Sequence, residues 1–176
     1  MDATHAASEE GLPISCEDLL SQLNSWGISY VLHEHAPLRT VEDAKAVEGA
    51  LLRPGEQALR LKNLYLRDRK KRNYLVSLEQ DRDVDLKALG ATLGGGGLSF
   101  GSADRLMEFL GVRPGAVTPL AMINGAPKGV RFFMDAQAQH ADSIYMHPLV
   151  NTRTLAMPRA DLMVFFERIG VTPEWI

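Results

Sequence analysis

The sequence predicts a single α+β domain, and three observations carry that prediction. At 176 residues, with 45% hydrophobic and 23% charged residues, the chain can bury one full core and has a globular rather than a disordered, collagenous or coiled-coil composition. Apolar residues recur at helical spacing in some stretches and alternate in others, giving about seven extended and about five helical segments. Those segments do not follow a strict strand-helix-strand order, so a mixed sheet with flanking helices is expected rather than a doubly wound parallel one. Residues 1–14, small, polar and acidic, are expected to form a mobile tail ahead of a domain spanning 15–176.

Taken in order, Ser15 offers an N-cap with Asp18 three residues on, and Leu19, Leu20, Leu23 and Trp26 make a helical stripe that stops at Gly27. Residues 28–35 alternate as a strand ending before Pro37, so His33 and His35 share a face. A His-x-His pair can ligate a metal, but no carboxylate or thiol triplet accompanies it and no metal site is expected. Residues 40–49 carry a threonine cap, acids in the first turn and apolar Val41, Ala44 and Val47, which reads as a short helix.

The stretch Leu61-Lys62-Asn63-Leu64-Tyr65-Leu66 reads as a central strand within residues 57–68. It is bounded by Pro54-Gly55 and by a basic turn, Arg69-Lys70-Lys71-Arg72, with residues 73–78 as its hairpin partner. Lys62 stands where a hydrophobe is expected. An ammonium group resists burial without a partner, so Lys62 either meets a carboxylate, waits for an anionic ligand, or lies on an edge strand and reaches water.

Asp81, Asp83 and Asp85 resemble a calcium loop, but Leu86 and Thr92 occupy the positions that need glycine and glutamate; the acids instead cap a helix over residues 84–93. Gly94-Gly95-Gly96-Gly97 then leads into Leu98-Ser99-Phe100-Gly101. Four glycines cost conformational entropy and are expected to let a backbone approach a ligand closely; no P-loop or dinucleotide spacing is present. Ser102 caps a helix over residues 103–110 that ends at Gly111, and residues 112–119, with two prolines and Gly115, form a shaped loop. Residues 120–124 are expected as a short buried strand ending at Asn124, with residues 129–135 as its hairpin partner. Residues 143–147 and 152–157 give two more strands around Pro148, and Pro158 opens a last helix to residue 169.

The totals exclude several classes. No apolar run approaches the roughly 20 residues that span a bilayer, and residues 1–10 lack the apolar segment of a secretory signal, so a cytoplasmic location and no membrane partner are expected. The single cysteine, Cys16, excludes an intramolecular disulfide and any site needing several thiolates. A net charge of −3 does not suggest a protein coated for nucleic acid, and no DNA partner is expected. Between Arg60 and Arg72, however, Lys62, Arg67, Arg69, Lys70 and Lys71 add to those two arginines against Asp68 alone, so one edge is locally positive. On residues alone, the chain reads as a small-ligand or RNA-binding module with Lys62 as anion anchor.

Four segments in order carry a closer resemblance: Lys62-Asn63-Leu64-Tyr65-Leu66, Leu98-Ser99-Phe100-Gly101, residues 111–124 (GVRPGAVTPLAMIN) and His147-Pro148-Leu149-Val150-Asn151-Thr152. Together they resemble the free-standing YbaK/prolyl-tRNA synthetase-associated editing domains over nearly the whole chain, from about residue 26 to about residue 171. The Lys-Asn-Leu-aromatic-Leu form is closer to the branch that hydrolyses Ala-tRNA(Pro) than to the branch that clears Cys-tRNA(Pro). The chain departs from the family in having Gly97 where a basic residue usually precedes Leu-Ser-Phe.

The resemblance implies a partly barrel-like mixed sheet and hydrolysis of the ester between a wrong amino acid and the terminal adenosine of tRNA(Pro), without metal or cofactor. The implied partners are the tRNA(Pro) acceptor end and, as a second candidate, prolyl-tRNA synthetase; serine or cysteine are the alternative amino acids, and a non-catalytic tRNA- or synthetase-binding module is the alternative function. By position, Lys62 matches the lysine on which activity depends, residues 115–119 match the GxxxP loop, and His147 matches a histidine lining the amino-acid pocket. Lys62 and Gly115 are therefore the expected catalytic groups, with Asn63, Ser99, Gly101, Thr118, Pro119, Asn124 and His147 on the substrate. An aminoacyl ester is already reactive, so the protein need only orient water and stabilise an oxyanion, a task assigned to amides near Gly101 and Gly115 while Lys62 holds the phosphate or ribose.

Overall fold

In the computed structural model, which describes residues 9–38 and 40–176, helices start where the sequence places caps. The Asp18 N–H donates to Ser15 Oγ and the Ser15 N–H to Asp18 Oδ2, a reciprocal box that starts α1 (Cys16–Ser25). Thr40 and Asp43 make the same exchange ahead of α2 (Val41–Leu51). Asp85 caps α3 (Leu86–Leu93) and Ser102 caps α4 (Ala103–Leu110); both end on a left-handed glycine, Gly94 and Gly111. The last helix, α6 (Arg159–Arg168), begins behind Pro158.

The strands are β1 (Val31–Glu34), β2 (Ala58–Arg67), β3 (Asn73–Glu79), β4 (Ser99–Phe100), β5 (Arg131–Met134), β6 (Ser143–Met146), β7 (Arg153–Pro158) and β8 (Glu174–Trp175). They form one open, mixed sheet in the order β1-β7-β6-β2-β3-β5-β8, with β4 added on β2. The β2–β3 and β6–β7 neighbours are antiparallel hairpins, whereas β2–β6, β3–β5 and β5–β8 run parallel. β2 is the spine that both halves share. On one edge it pairs with β3; on the other, pairing with β6 stops at Arg60 and pairing with β4 resumes at Leu66. The two strands beside β2 therefore part along residues 61–65.

Alternation along β2 divides the core. Leu59, Leu61 and Tyr65 face a large cluster built with α1, α4 and α6, where Leu19, Leu106 and Phe165 are fully or nearly buried. Leu64 and Leu66 face a smaller cluster in which Tyr74, Val76 and Phe133 pack against Leu93 of α3. Lys62 belongs to the second face.

Several expectations are corrected. Residues 120–124 are not a strand: a 3₁₀ turn (Pro119–Ala121) runs into the single-turn helix α5 (Met122–Gly125). Leu120 N–H donates to Thr118 Oγ1 and Pro119 sits in the first turn, so a cap and a proline outweigh an apolar run too short to show its period. Consequently β5 has no hairpin partner there and lies parallel between β3 and β8. The mixed α+β sheet is as expected, with eight strands among the described residues, of which β4 and β8 are two residues long and leave no alternation to read. Residues 9–14, the described part of the expected tail, make contacts with the domain. Leu12 and Ile14 pack on the main core, Glu9 accepts from the Cys16 N–H and the Glu10 carbonyl accepts from Arg113. Residues 1–8, the rest of the expected tail, lie outside the described residues. Among the described residues no helix is long and apolar enough to cross a membrane.

Candidate active site

The interval where β6 and β4 part from β2 is occupied by Lys62. Its side chain is half-buried, and its ammonium donates to the backbone carbonyl of Arg82, in the loop after β3. That loop is pinned: the Arg82 guanidinium donates to Asp135 Oδ2 at 3.1 Å and to the Ile176 backbone oxygen at 3.1 Å. Asp135 is 2% exposed. Burial alone would raise its pKa, but the amides of Gln137 and Glu79 and the Arg82 guanidinium outweigh burial and hold the carboxyl below the ordinary range.

Register brings the second expected residue to the same face. β2 and β6 run parallel with Arg60 opposite Tyr145, so Lys62 and His147 are the next like-facing positions along the two chains. β6 pairs antiparallel with β7, Met146 opposite Leu155, which puts His147 level with Thr154; Thr154 in turn pairs with His33 of β1. His147, just past the end of β6, thus continues the polar face of Thr154 and His33, while Lys62 lies on the like-facing side of β2 beyond the last β2–β6 pair.

His147 Nδ1 lies 2.8 Å from the Arg153 carbonyl. A carbonyl only accepts, so Nδ1 carries the proton and the neutral ring keeps Nε2 as an acceptor. Burial, the largest influence, lowers the His147 pKa from its ordinary value, so the ring is neutral at pH 7. His35 stands beside it, ring centroids 6.1 Å apart, with Nδ1 2.8 Å from the Ala36 carbonyl and Nε2 2.7 Å from Thr154 Oγ1. Both nitrogens of His35 are thereby engaged, and among the described residues no group of three His, Cys, Asp or Glu is placed to hold a metal ion.

The loop after α4 reaches this corner through Gly115. Its φ of +89° suits glycine, and a Cβ there would stand 3.4 Å from Asn151 Nδ2. Asn151 is buried; its Nδ2 donates to the Leu38 carbonyl at 3.3 Å, while Oδ1 is buried without a hydrogen-bond partner. Leu149, between His147 and Asn151, adopts φ +69°, a strained conformation for a leucine that the neighbouring contacts hold in place. Thr118 and Pro119 are buried and shape the loop through the 3₁₀ cap described above.

Four expected residues stand elsewhere. The Gly101 N–H donates to the Tyr65 carbonyl at 3.0 Å, so that amide belongs to the sheet and does not face an ester. Ser99 pairs with Arg67, five residues from Lys62 and so about 16 Å along the strand. Asn124 Nδ2 donates to the Leu110 carbonyl at 3.1 Å and holds the end of α4. Asn63 accepts from Ser77 Oγ at 2.6 Å across the β2–β3 hairpin, on the side of the main core. The glycine run also serves the fold: a Cβ on Gly95 would stand 2.9 Å from the Tyr74 hydroxyl, and one on Gly97 2.5 Å from Arg69 Nε. What the run lets in is the Asp68–Tyr74–Arg69 cluster of the β2–β3 turn. Asn151, Thr154 and His35 were not among the expected site residues; Asn151 lies within one of the four family-like segments, and the His33–His35 pair signals only a metal ligand in sequence.

Residues 35–165 match the model of a family described as the aminoacyl-tRNA editing domain. The chain is 32% identical over 155 residues to the prolyl-tRNA editing protein ProX of Acetoanaerobium sticklandii, covering 88% of this chain and 92% of that one. It is 34% identical over 166 residues to the prolyl-tRNA synthetase associated domain-containing protein 1 of Xenopus laevis, covering 89% and 93%. Among solved structures, a proposed trans-editing enzyme for prolyl tRNA synthetase superposes with a TM-score of 0.64 at 18% identity over 90% of this chain and 93% of that one, a likeness of fold.

Proposed function

The chain belongs to the aminoacyl-tRNA editing domain family, and from that premise we propose that it is a trans-editing deacylase, hydrolysing the ester of alanine wrongly attached to tRNA(Pro). In this reading the Lys62 ammonium leaves the Arg82 carbonyl for the phosphate or ribose of the terminal adenosine, where a point charge has a stronger partner. The Gly115 N–H is the amide assigned to the ester carbonyl, where an oxyanion develops as water attacks, since the Ala116 N–H is given to the Arg113 carbonyl. His147, neutral and fixed by Arg153, forms one wall of the amino-acid pocket, with Nε2 available to the substrate ammonium or the water. Proline is refused on size: a pocket shaped for a methyl side chain excludes the bulkier ring, and that exclusion is what editing requires.

The observation that carries the reading is the position of Lys62, half-buried on the spine strand at the interval where its neighbours part, on the face that also carries His147. Such a reaction serves the compartment where tRNA(Pro) is charged, the cytoplasm, with prolyl-tRNA synthetase as the natural neighbour. The test is a deacylation panel across tRNA(Pro) charged with alanine, serine, cysteine and proline. The wild type is expected to clear the alanyl ester and spare the prolyl ester, and Lys62→Ala to lose most of that rate. Preference for serine or cysteine would keep the reaction and change its substrate; an unchanged lifetime for every mischarged tRNA(Pro) would overturn it.

A further inference from the structure

Phe100 is the most exposed large hydrophobic side chain among the described residues, at 64%. It lies on β4 opposite Leu66, and residues paired across an antiparallel ladder point to the same side, so Phe100 shares the face of Lys62. Leu66 stands four steps along β2 from Lys62, roughly 13 Å at about 3.3 Å per residue. Leu66 and Leu98 on the same face pack on the smaller core, α4 begins nearby with Asp104 and Arg105, and cations gather on the side of the glycine turn. Arg69 lies across Gly97, and Arg69 and Lys87 border a cavity of about 550 Å³ between α3 and the glycine turn, with Leu98 in its wall. Arg67, opposite Ser99, has its Nε buried without a partner. The nearest acid of the turn, Asp68, is already engaged by Arg72 and Tyr74.

A single exposed aromatic ring next to a cation-bordered groove is a poor docking surface for a protein, which would present a wider apolar patch. It suits a polymer whose units each offer a flat π-face and a phosphate. We propose that Phe100 and the adjoining groove bind the single-stranded nucleotides at the 3′ end of the RNA substrate, one base stacking on Phe100 while phosphates meet Arg69 and Lys87. The inference rests on the editing reading and extends it: with the terminal nucleotide at Lys62, the 13 Å interval corresponds to about four stacked nucleotides at roughly 3.4 Å each, or fewer if the strand is extended.

Binding of two uncharged RNA minihelices, one with a four-nucleotide single-stranded 3′ tail and one blunt, tests this by fluorescence anisotropy. The wild type is expected to prefer the tailed form, and Phe100→Ala to weaken that form at least about fivefold while leaving the blunt one unchanged. Phe100→Trp should retain the preference. Arg69→Ala with Lys87→Ala should flatten the dependence of log affinity on log salt by roughly 0.7 for each phosphate that the two cations neutralise in the wild type. A wild type indifferent to the tail, or a Phe100→Ala protein that binds the tailed RNA like wild type, would overturn the proposal. Deacylation by the wild type is scored separately, so failure of the editing reading registers there and failure of the stacking site in the binding curves. Where the wild type is active, Phe100→Ala should raise KM for aminoacyl-tRNA and spare kcat.

Discussion

At Gly101 the space a side chain would take is filled by the Tyr65 ring, whose edge lies 2.2 Å from where a Cβ would stand. The ring cannot swing aside freely, because the Tyr65 hydroxyl donates to Asn73 Oδ1 at 2.6 Å. Gly101→Ala is therefore expected to cost about 2–3 kcal/mol through overpacking, read as a shifted urea midpoint with an unchanged slope. In a Tyr65→Leu background most of that cost should vanish, and a double-mutant cycle measures the difference. Lys62 was legible at this scale because a charge in an apolar strand is anomalous in one dimension. Asn151 was not: its buried, unpartnered oxygen exists because Gly115, Leu38 and the segment after β6 converge in space, and no single stretch of sequence carries that signal.

Among the elements, the connection from β3 to α3 carries the acceptor on which the Lys62 ammonium rests, and its anchorage is Asp135 at the end of β5. Removing that carboxylate leaves the Glu79 and Gln137 amides and the Arg82 guanidinium without their acceptor at once. Asp135→Ala should lower stability by about 3 kcal/mol, the lower end for a broken buried pair since Arg82 is partly in solvent. At temperatures where the variant stays folded, deacylation should also slow, since without the Arg82 carbonyl as its resting acceptor the Lys62 ammonium is no longer held in the position from which it moves onto the substrate. Arg82→Lys, which keeps a cation for Asp135, should by contrast retain most of both. Stopped-flow deacylation beside thermal melts separates the two effects. Capped helices were readable from sequence because their signals are local, as Ser15, Asp85 and Ser102 illustrate. The turn over residues 119–125 was misread because four apolar residues, Leu120 to Ile123, fit either period, and the deciding contact was one hydroxyl, that of Thr118.

For the whole molecule, the non-alternating order of segments sufficed for the α+β class, whereas the sheet order did not follow from it. The parallel pairs β3–β5 and β5–β8 join segments far apart in sequence, and β8 is too short to announce itself. That order is also what gathers the groups governing acid stability. Burial raises the tendency of Asp68 to protonate, but the Arg72 amide and guanidinium and the Tyr74 hydroxyl outweigh it, so its pKa, like that of Asp135, lies below the ordinary carboxylate value. A depressed carboxyl contributes stability that is present above its unfolded pKa, near 3.9, and is lost as pH falls through the folded value. His147, neutral in the fold because burial disfavours the imidazolium, acts in the same direction: below an unfolded pKa of about 6.5 the unfolded chain takes up a proton that the native ring refuses. Stability is therefore expected to decline in two stages on acidification, a shallow one beginning below about pH 6.5 and a steeper one below about pH 3.9. Urea midpoints across a pH series measure both. His147→Gln should abolish the first stage and leave the second; if the variant keeps the shallow decline, the titrating group is another residue and the neutral ring assigned to the amino-acid pocket is wrong with it.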